Sequence, residues 1–131
     1  MSNISGIFDD IIEDNLIKQP VAILKEFAQE LNKTTKGLLI ARVIQEDYDF
    51  DNPHELGFQF LIVAPSLNNY SYEVLTISHD PGLYPLSIVA EEKNRIQILN
   101  QESFEEELKR IFSSPKIKRI INGLLATSKT S

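Results

Sequence analysis

Residues 37–99 read GLLIARVIQEDYDFDNPHELGFQFLIVAPSLNNYSYEVLTISHDPGLYPLSIVAEEKNRIQIL, and they carry the clearest structural signal in the chain. The stretch contains five runs rich in Ile, Val, Leu, Phe and Tyr, a composition typical of β-strands. These runs cover residues 38–47, 57–64, 70–79, 84–91 and 95–99, with turn-forming residues between them. Because the gaps are too short for a crossover helix, consecutive strands should be antiparallel neighbours in a meander.

Two amphipathic helices are predicted before this sheet. Ile4, Ile7, Phe8, Ile11 and Ile12 follow the spacing of one helical stripe, which predicts a first helix over residues 3–16. A second helix should begin at Pro20, because the fixed φ and missing N–H of proline suit a first helical position. The N-terminal part of the chain is therefore expected to supply one pair of helices.

Two further helices are predicted after the sheet. Ser103 and Glu106 have the spacing of a capping box, and Ser114 followed by Pro115 has the pattern of an N-cap and a first helical residue. At 131 residues the chain has the length of one domain. We expect a single α+β domain over residues 1–131, with a frayed polar tail at 127–131.

Apolar residues fall on both faces of the predicted strands. Phe60 and Leu61 point to opposite sides of the sheet, and Val74 opposes Leu75 in the same way. A sheet with one face in water should show a cleaner alternation of apolar and polar residues. We expect both faces to be at least partly covered, either by the two helix pairs or by a second copy of the chain in a homodimer.

Composition excludes several classes of function. The chain has 13 Lys and Arg against 19 Asp and Glu, a formal charge of −6 that disfavours nucleic-acid binding. A local basic stretch is predicted as a solvated helix face and comprises Lys109, Arg110, Lys116, Lys118 and Arg119. The absence of cysteine removes thiol catalysis and disulfides. With no secretory signal and no apolar span of about 20 residues, a cytoplasmic protein without a membrane anchor is expected.

The densest cluster of potential metal ligands is the acidic segment 46–55. Asp47, Asp49 and Asp51 match the first three oxygen donors of a calcium loop of the EF-hand type. The match fails at Asn52, where that loop needs glycine, and at Phe58, where it needs glutamate. An acidic hairpin loop is the preferred interpretation, and calcium or magnesium binding by the three aspartates is the weaker one. No cofactor is predicted.

The turn after the third strand contains the other candidates for chemistry. His79 lies beside Asp80, but neighbouring residues of a strand point to opposite faces, so Ser78, His79 and Asp80 do not form a triad. No nucleophile motif accompanies them. We therefore expect His79 and Asp80 to stabilise the turn.

Three tyrosines are candidates for an interface. Tyr70, Tyr72 and Tyr84 cluster near strand ends, and Tyr70 and Tyr72 share one face of the third strand. Protein interfaces favour such amphipathic aromatics, because the ring is buried while the hydroxyl stays in water. Packing in the core or at its rim is the alternative interpretation.

Together these patterns favour a small, acidic, cytoplasmic module that binds a protein or regulates one. An acidic surface suits a basic partner, such as the target of an antitoxin or immunity protein, or the client of a chaperone. The alternative is a small-molecule-binding or metal-binding protein, or an enzyme, with its site near the loop 46–55 and the turn 79–84. The sequence favours a non-enzymatic protein because it shows no catalytic motif.

Overall fold

A computed structural model describes residues 5–8, 18–46, 54–90 and 94–130. Within these ranges, helix α1 (Pro20–Thr34) precedes the sheet, and helices α2 (Gln101–Phe112) and α3 (Pro115–Lys129) follow it. The five strands are β1 (Ile40–Glu46), β2 (Leu56–Ala64), β3 (Tyr70–His79), β4 (Leu86–Ala90) and β5 (Arg95–Ile98). A 3₁₀ turn over Pro65–Leu67 lies between β2 and β3.

The five strands form one sheet in sequence order, β1-β2-β3-β4-β5. Every neighbouring pair is antiparallel, which confirms the predicted α+β class and the meander. Turn chemistry explains the order, because each strand returns beside its predecessor through a short connection.

All three helices pack on the same face of the sheet. This face contributes Phe60, Ile62, Leu75, Ile77 and Ile88, each at most 1% exposed, to a single core. The helices contribute the buried Ile23, Leu24 and Ala28 from α1, Phe104, Leu108 and Ile111 from α2, and Ile117 from α3. The ring of Phe112 joins the layers, with its centroid 5.5 Å from that of Phe27 and 4.9 Å from that of Phe60.

The opposite face of the sheet is more polar and partly open. Ile40 and Ile44 of β1 are 36% and 41% exposed. Beside them, Glu73 accepts hydrogen bonds from the amide of Gln59 and from the hydroxyl of Thr76. No helix of the described ranges covers this face, and most of the helix expected over residues 3–16 lies outside those ranges. Coverage by a second copy of the chain stays a prediction.

The pairing of β2 with β3 contains a bulge. Phe60 pairs with Leu75 whereas the next residue, Leu61, pairs with Glu73, so Val74 is an extra residue in β3. Val74 is 1% exposed and belongs to the same core cluster as Leu75. The expectation that Val74 and Leu75 lie on opposite sides of the sheet was therefore wrong.

The prediction of two N-terminal helices was also wrong, because the described ranges contain one helix before the sheet. Residues 5–8 form turns, and the rest of the expected helix over 3–16 lies outside the described residues. Gly6 has a φ of 85°, a left-handed conformation that does not continue an α-helix. Ile7 and Phe8 are 60% and 67% exposed, so they lack the packing that stabilises a short amphipathic helix.

The predicted N-terminal cap is correct for α3 and wrong for α2. Ser114 caps α3 by accepting a hydrogen bond from the Ile117 N–H at 3.3 Å, with Pro115 as the first helical residue. In α2 the cap is Asn100, whose side-chain oxygen accepts a hydrogen bond from the Ser103 N–H at 2.8 Å. The helix thus begins three residues before the expected capping box, because asparagine serves as well as serine at this position.

None of the helices described here has the length and apolar content required to cross a bilayer.

Candidate functional site

The predicted cation site and its three ligands, Asp47, Asp49 and Asp51, lie outside the described residues. Among the residues that the structure does describe, no group of three or more His, Asp or Glu side chains is placed to hold a metal ion. Binding of calcium or magnesium by the loop stays a prediction from sequence.

The turn after β3 is organised by Asp80. Its side-chain oxygen accepts a hydrogen bond from the Gly82 N–H at 2.8 Å, and its carbonyl accepts one from the Leu83 N–H at 3.0 Å. The Nδ1 atom of His79 lies 2.7 Å from the same carbonyl, and the imidazole is 3% exposed and stacked on Phe58. A carbonyl is only an acceptor, so Nδ1 carries the proton and donates it. These contacts agree with a role in stabilising the turn.

Tyr84 lies at the same end of the sheet, in a setting unsuited to acid–base work at neutral pH. Burial, and secondarily the charge of Glu105, raise the pKa of the Tyr84 phenol to about 12. Its hydroxyl is buried and has no hydrogen-bond partner in the described part of the chain, as is also true of Nε2 of His79. These features favour a packing role for Tyr84, which lines neither of the two concavities described below.

Tyr70 and Tyr72 come together with α3 in a shallow groove. Leu67, Tyr70 and Tyr72 form one wall, while Ile120, Gly123, Leu124 and Thr127 of α3 form the other. We call this concavity of about 510 Å³ the tyrosine groove. Tyr70 is 51% exposed, and Ile120 and Leu124 are only partly buried. The groove therefore presents apolar side chains to solvent along one helix.

A second concavity, which we call the corner cavity, lies where α2 turns into α3. It has a volume of about 370 Å³. Its lining comprises Val74, Ala90, Asn94 and Ile96 from the sheet side, and Arg110, Ile111, Ser114, Pro115, Lys116 and Ile117 from the helices. Neither His79 nor Tyr84 lines this cavity or the tyrosine groove.

Both concavities adjoin the basic part of a chain whose charge is strongly segregated. Residues 108–131 contain six Lys and Arg and no Asp or Glu. Residues 1–107 contain all 19 acidic residues and seven basic ones, so the mean charge conceals two regions of opposite sign. A ligand of either concavity meets a local field that is more positive than the net charge suggests.

Comparison with known proteins adds no relative. No protein-family model matches the chain, and neither the curated proteins nor the solved structures contain a significant match. The functional argument therefore depends on the geometry alone.

Sequence reasoning named Tyr70 and Tyr72 as interface candidates, but it predicted neither concavity. Arg110 and Lys116 were expected to be part of a solvated helix face, and both are exposed at the rim of the corner cavity. The lining of that cavity spans more than 40 positions of the sequence, from Val74 to Ile117. The periodicity of apolar residues within one helix or strand does not indicate which distant residues will lie together in the fold.

Proposed function

We propose that the protein is a binding module that holds an apolar segment of a protein partner in the tyrosine groove. The observation that carries this proposal is the row of partly exposed apolar side chains, Tyr70, Tyr72, Ile120 and Leu124, at one helix–strand junction. Exposed apolar surface of this kind marks interaction sites in proteins. Tyr70, which is 51% exposed, adds a ring that can pack against the partner while its hydroxyl stays in water.

Gly123 supports the same assignment. A Cβ atom added at this position would meet no heavy atom within 4 Å, so the wall of the groove is open there. A glycine in the middle of a helix lowers helix stability by about 1 kcal/mol relative to alanine. Gly123 therefore lowers the stability of α3, and in exchange it leaves room in the groove for a side chain of the partner.

The charges around the groove indicate the chemistry of the partner segment. All charged residues of α3 are basic, namely Lys116, Lys118, Arg119 and Lys129. An apolar segment flanked by acidic residues therefore fits the groove best, because complementary charge increases the association rate and the specificity. A basic partner, expected from the net charge, would contact the acid-rich remainder of the chain. We place this binding in the cytoplasm, because a chain without cysteine suits a reducing compartment.

A substitution can fill the groove without weakening the helix. Gly123→Leu puts an apolar side chain into the open space and raises helix propensity by several tenths of a kcal/mol. Asn122→Leu is the matched control, because Asn122 is an exposed neighbour on α3 that does not line the groove. Both variants should fold at least as well as the wild type.

The test is selection of binding sequences from a displayed library of 15-residue peptides on the immobilised protein. We expect apolar peptides with acidic flanks to be enriched on the wild type and on Asn122→Leu, and to be lost on Gly123→Leu. Enrichment of no common sequence, or equal binding by Gly123→Leu, would contradict the proposal. Light scattering on the same samples gives the mass, and a wild-type dimer that becomes a monomer in Gly123→Leu would show that a second copy of the chain occupies the groove.

A further inference from the structure

We propose that the corner cavity is a second binding site and takes a small amphiphile, a molecule with an apolar chain ending in a carboxylate. The site is independent of the tyrosine groove, with which it shares no lining residue. Its volume of about 370 Å³ lies in the range of small-molecule sites. Its walls combine an apolar interior with basic side chains at the rim.

The apolar part of the ligand would contact side chains from three elements. Val74, Ile111 and Ile117 are at most 5% exposed and form the inner wall. Ala90 and Ile96 complete the apolar lining on the sheet side. None of these five side chains offers a hydrogen bond, so the interior suits a hydrocarbon chain.

The charged part of the ligand would meet Arg110 and Lys116. Both are exposed lining residues, one from the last turn of α2 and the other from the first turn of α3. Glu107 orients the guanidinium of Arg110 by accepting hydrogen bonds from Nε, at 3.1 Å to Oε1 and 3.0 Å to Oε2. An ammonium and an oriented guanidinium at one rim favour a carboxylate over a cation.

The neighbouring charges do not reverse this preference. Glu107 offsets one of the two cations, which leaves one positive charge among these three residues at the rim. In the described part of the β4–β5 flank, Asn94 is neutral and Arg95 is basic. The remaining charges of α3 are all positive.

The probes are octanoate, octanol and octylamine, which share an apolar chain and differ in the charge of the head group. Each is titrated into the full-length protein below its aggregation concentration, and binding is followed by the ¹H–¹⁵N amide shifts. We expect octanoate to bind most tightly, octylamine least tightly, and the shifts to centre on Ala90, Ile96, Ile111 and Ile117. From hexanoate to octanoate the affinity should increase roughly fourfold per methylene if the chain is buried.

Matched charge variants separate specific recognition from general attraction. Arg110→Gln combined with Lys116→Gln should weaken octanoate binding about threefold to tenfold. Lys118→Gln combined with Arg119→Gln removes the same charge from exposed positions of α3 outside the cavity, and it should change binding less than twofold. Glu107→Gln, which removes the competing carboxylate, should strengthen octanoate binding.

Each alternative outcome overturns the proposal. Equal binding of octanol and octanoate would show an apolar cleft without carboxylate recognition. Equal loss in the two double variants would show only long-range attraction to a basic helix. Amide shifts confined to the tyrosine groove would place the ligand elsewhere, and absence of shifts with any probe would show that the cavity is unused by such molecules.

Discussion

The buried hydroxyl of Tyr84 shows how one atom can reduce the stability of a fold. It has lost water and gained no hydrogen-bond partner among the described residues. An unsatisfied buried polar group costs about 1–3 kcal/mol. Tyr84→Phe should therefore leave stability unchanged or raise it by about 1 kcal/mol, as measured by urea denaturation at pH 7.

The same variant tests the ionisation of Tyr84. Because the folded state holds this proton up to about pH 12, whereas an unfolded tyrosine releases it near pH 10, wild-type stability should decline as pH rises above 10. Tyr84→Phe should show less decline and lack the last ionisation in an alkaline absorbance titration. Tyr70→Phe is the control and should retain the late ionisation. If the control loses it, the ionisation belongs to Tyr70 and not to Tyr84.

Glu46 provides a second prediction at the level of a side chain. Burial, and then the neighbouring charge of Glu73, raise the pKa of Glu46 above its usual 4.5, although a hydrogen bond from Gln59 opposes the shift. A raised carboxyl pKa means that ionisation disfavours the folded state, so this residue lowers stability as pH rises through the window above 4.5.

Glu46→Gln should consequently be more stable than the wild type at pH 7. We expect a gain of a few tenths of a kcal/mol, because the side chain is only partly buried and solvent screens its charge. The gain should disappear as the pH of the thermal melts falls below 4.5, where both states of the wild type are protonated. Glu30→Gln, on the exposed side of α1, controls for the loss of one charge, and an equal gain there would refute the local explanation.

At the level of elements, the N-terminal cap of α2 can be tested by mutating the two candidate residues, Asn100 and Ser103. Asn100 holds the Ser103 N–H through its side chain, whereas the sequence had suggested Ser103 itself as the cap. Asn100→Ala should therefore lower the free energy of unfolding by about 1 kcal/mol, and Ser103→Ala should lower it by much less. Urea denaturation of the two variants decides between them, and the reverse order would restore the predicted capping box.

Elements governed by local chemistry were predictable from sequence. The turns after β2 and β3, the proline at the start of α1 and the Ser114–Pro115 start of α3 each depend on residues close together in the chain. The first predicted helix failed at Gly6 because periodicity is not enough without a surface on which to pack. The predicted orientation of Val74 was wrong because of the bulge. A bulge depends on how β3 pairs with β2, and the sequence of β3 alone does not determine that register.

At the scale of the whole molecule, the described residues form one core to which α1, α2 and α3 all contribute. Ile117 links α3 to that core and is 4% exposed. Because α3 has no core of its own, Ile117→Ala should lower the midpoint of one cooperative transition, with a loss of about 2–5 kcal/mol. Scanning calorimetry tests this, and a separate low-temperature transition in the variant would show that α3 melts independently.

The candidate sites also belong to this whole-molecule scale, which explains why so little of them was predictable. The tyrosine groove and the corner cavity both form where α3 meets the sheet, from segments that lie far apart in the chain. Sequence patterns located the two tyrosines as amphipathic side chains on one face. The same sequence patterns contained no information on how α3 packs against the sheet. That packing forms both concavities.

The extra residue in β3 has a consequence for the tyrosines, because it shifts the phase of the strand. Leu75 and Ile77 have odd numbers and face the helices. Tyr70 and Tyr72 have even numbers and face the helices as well, because they pair with Ala64 and Ile62, which are buried on that side. Strict alternation would have sent both rings to the far side with Thr76 and Ser78. The bulge at Val74 is therefore what allows one strand to present Leu75 and Ile77 to the core and both tyrosines to α3.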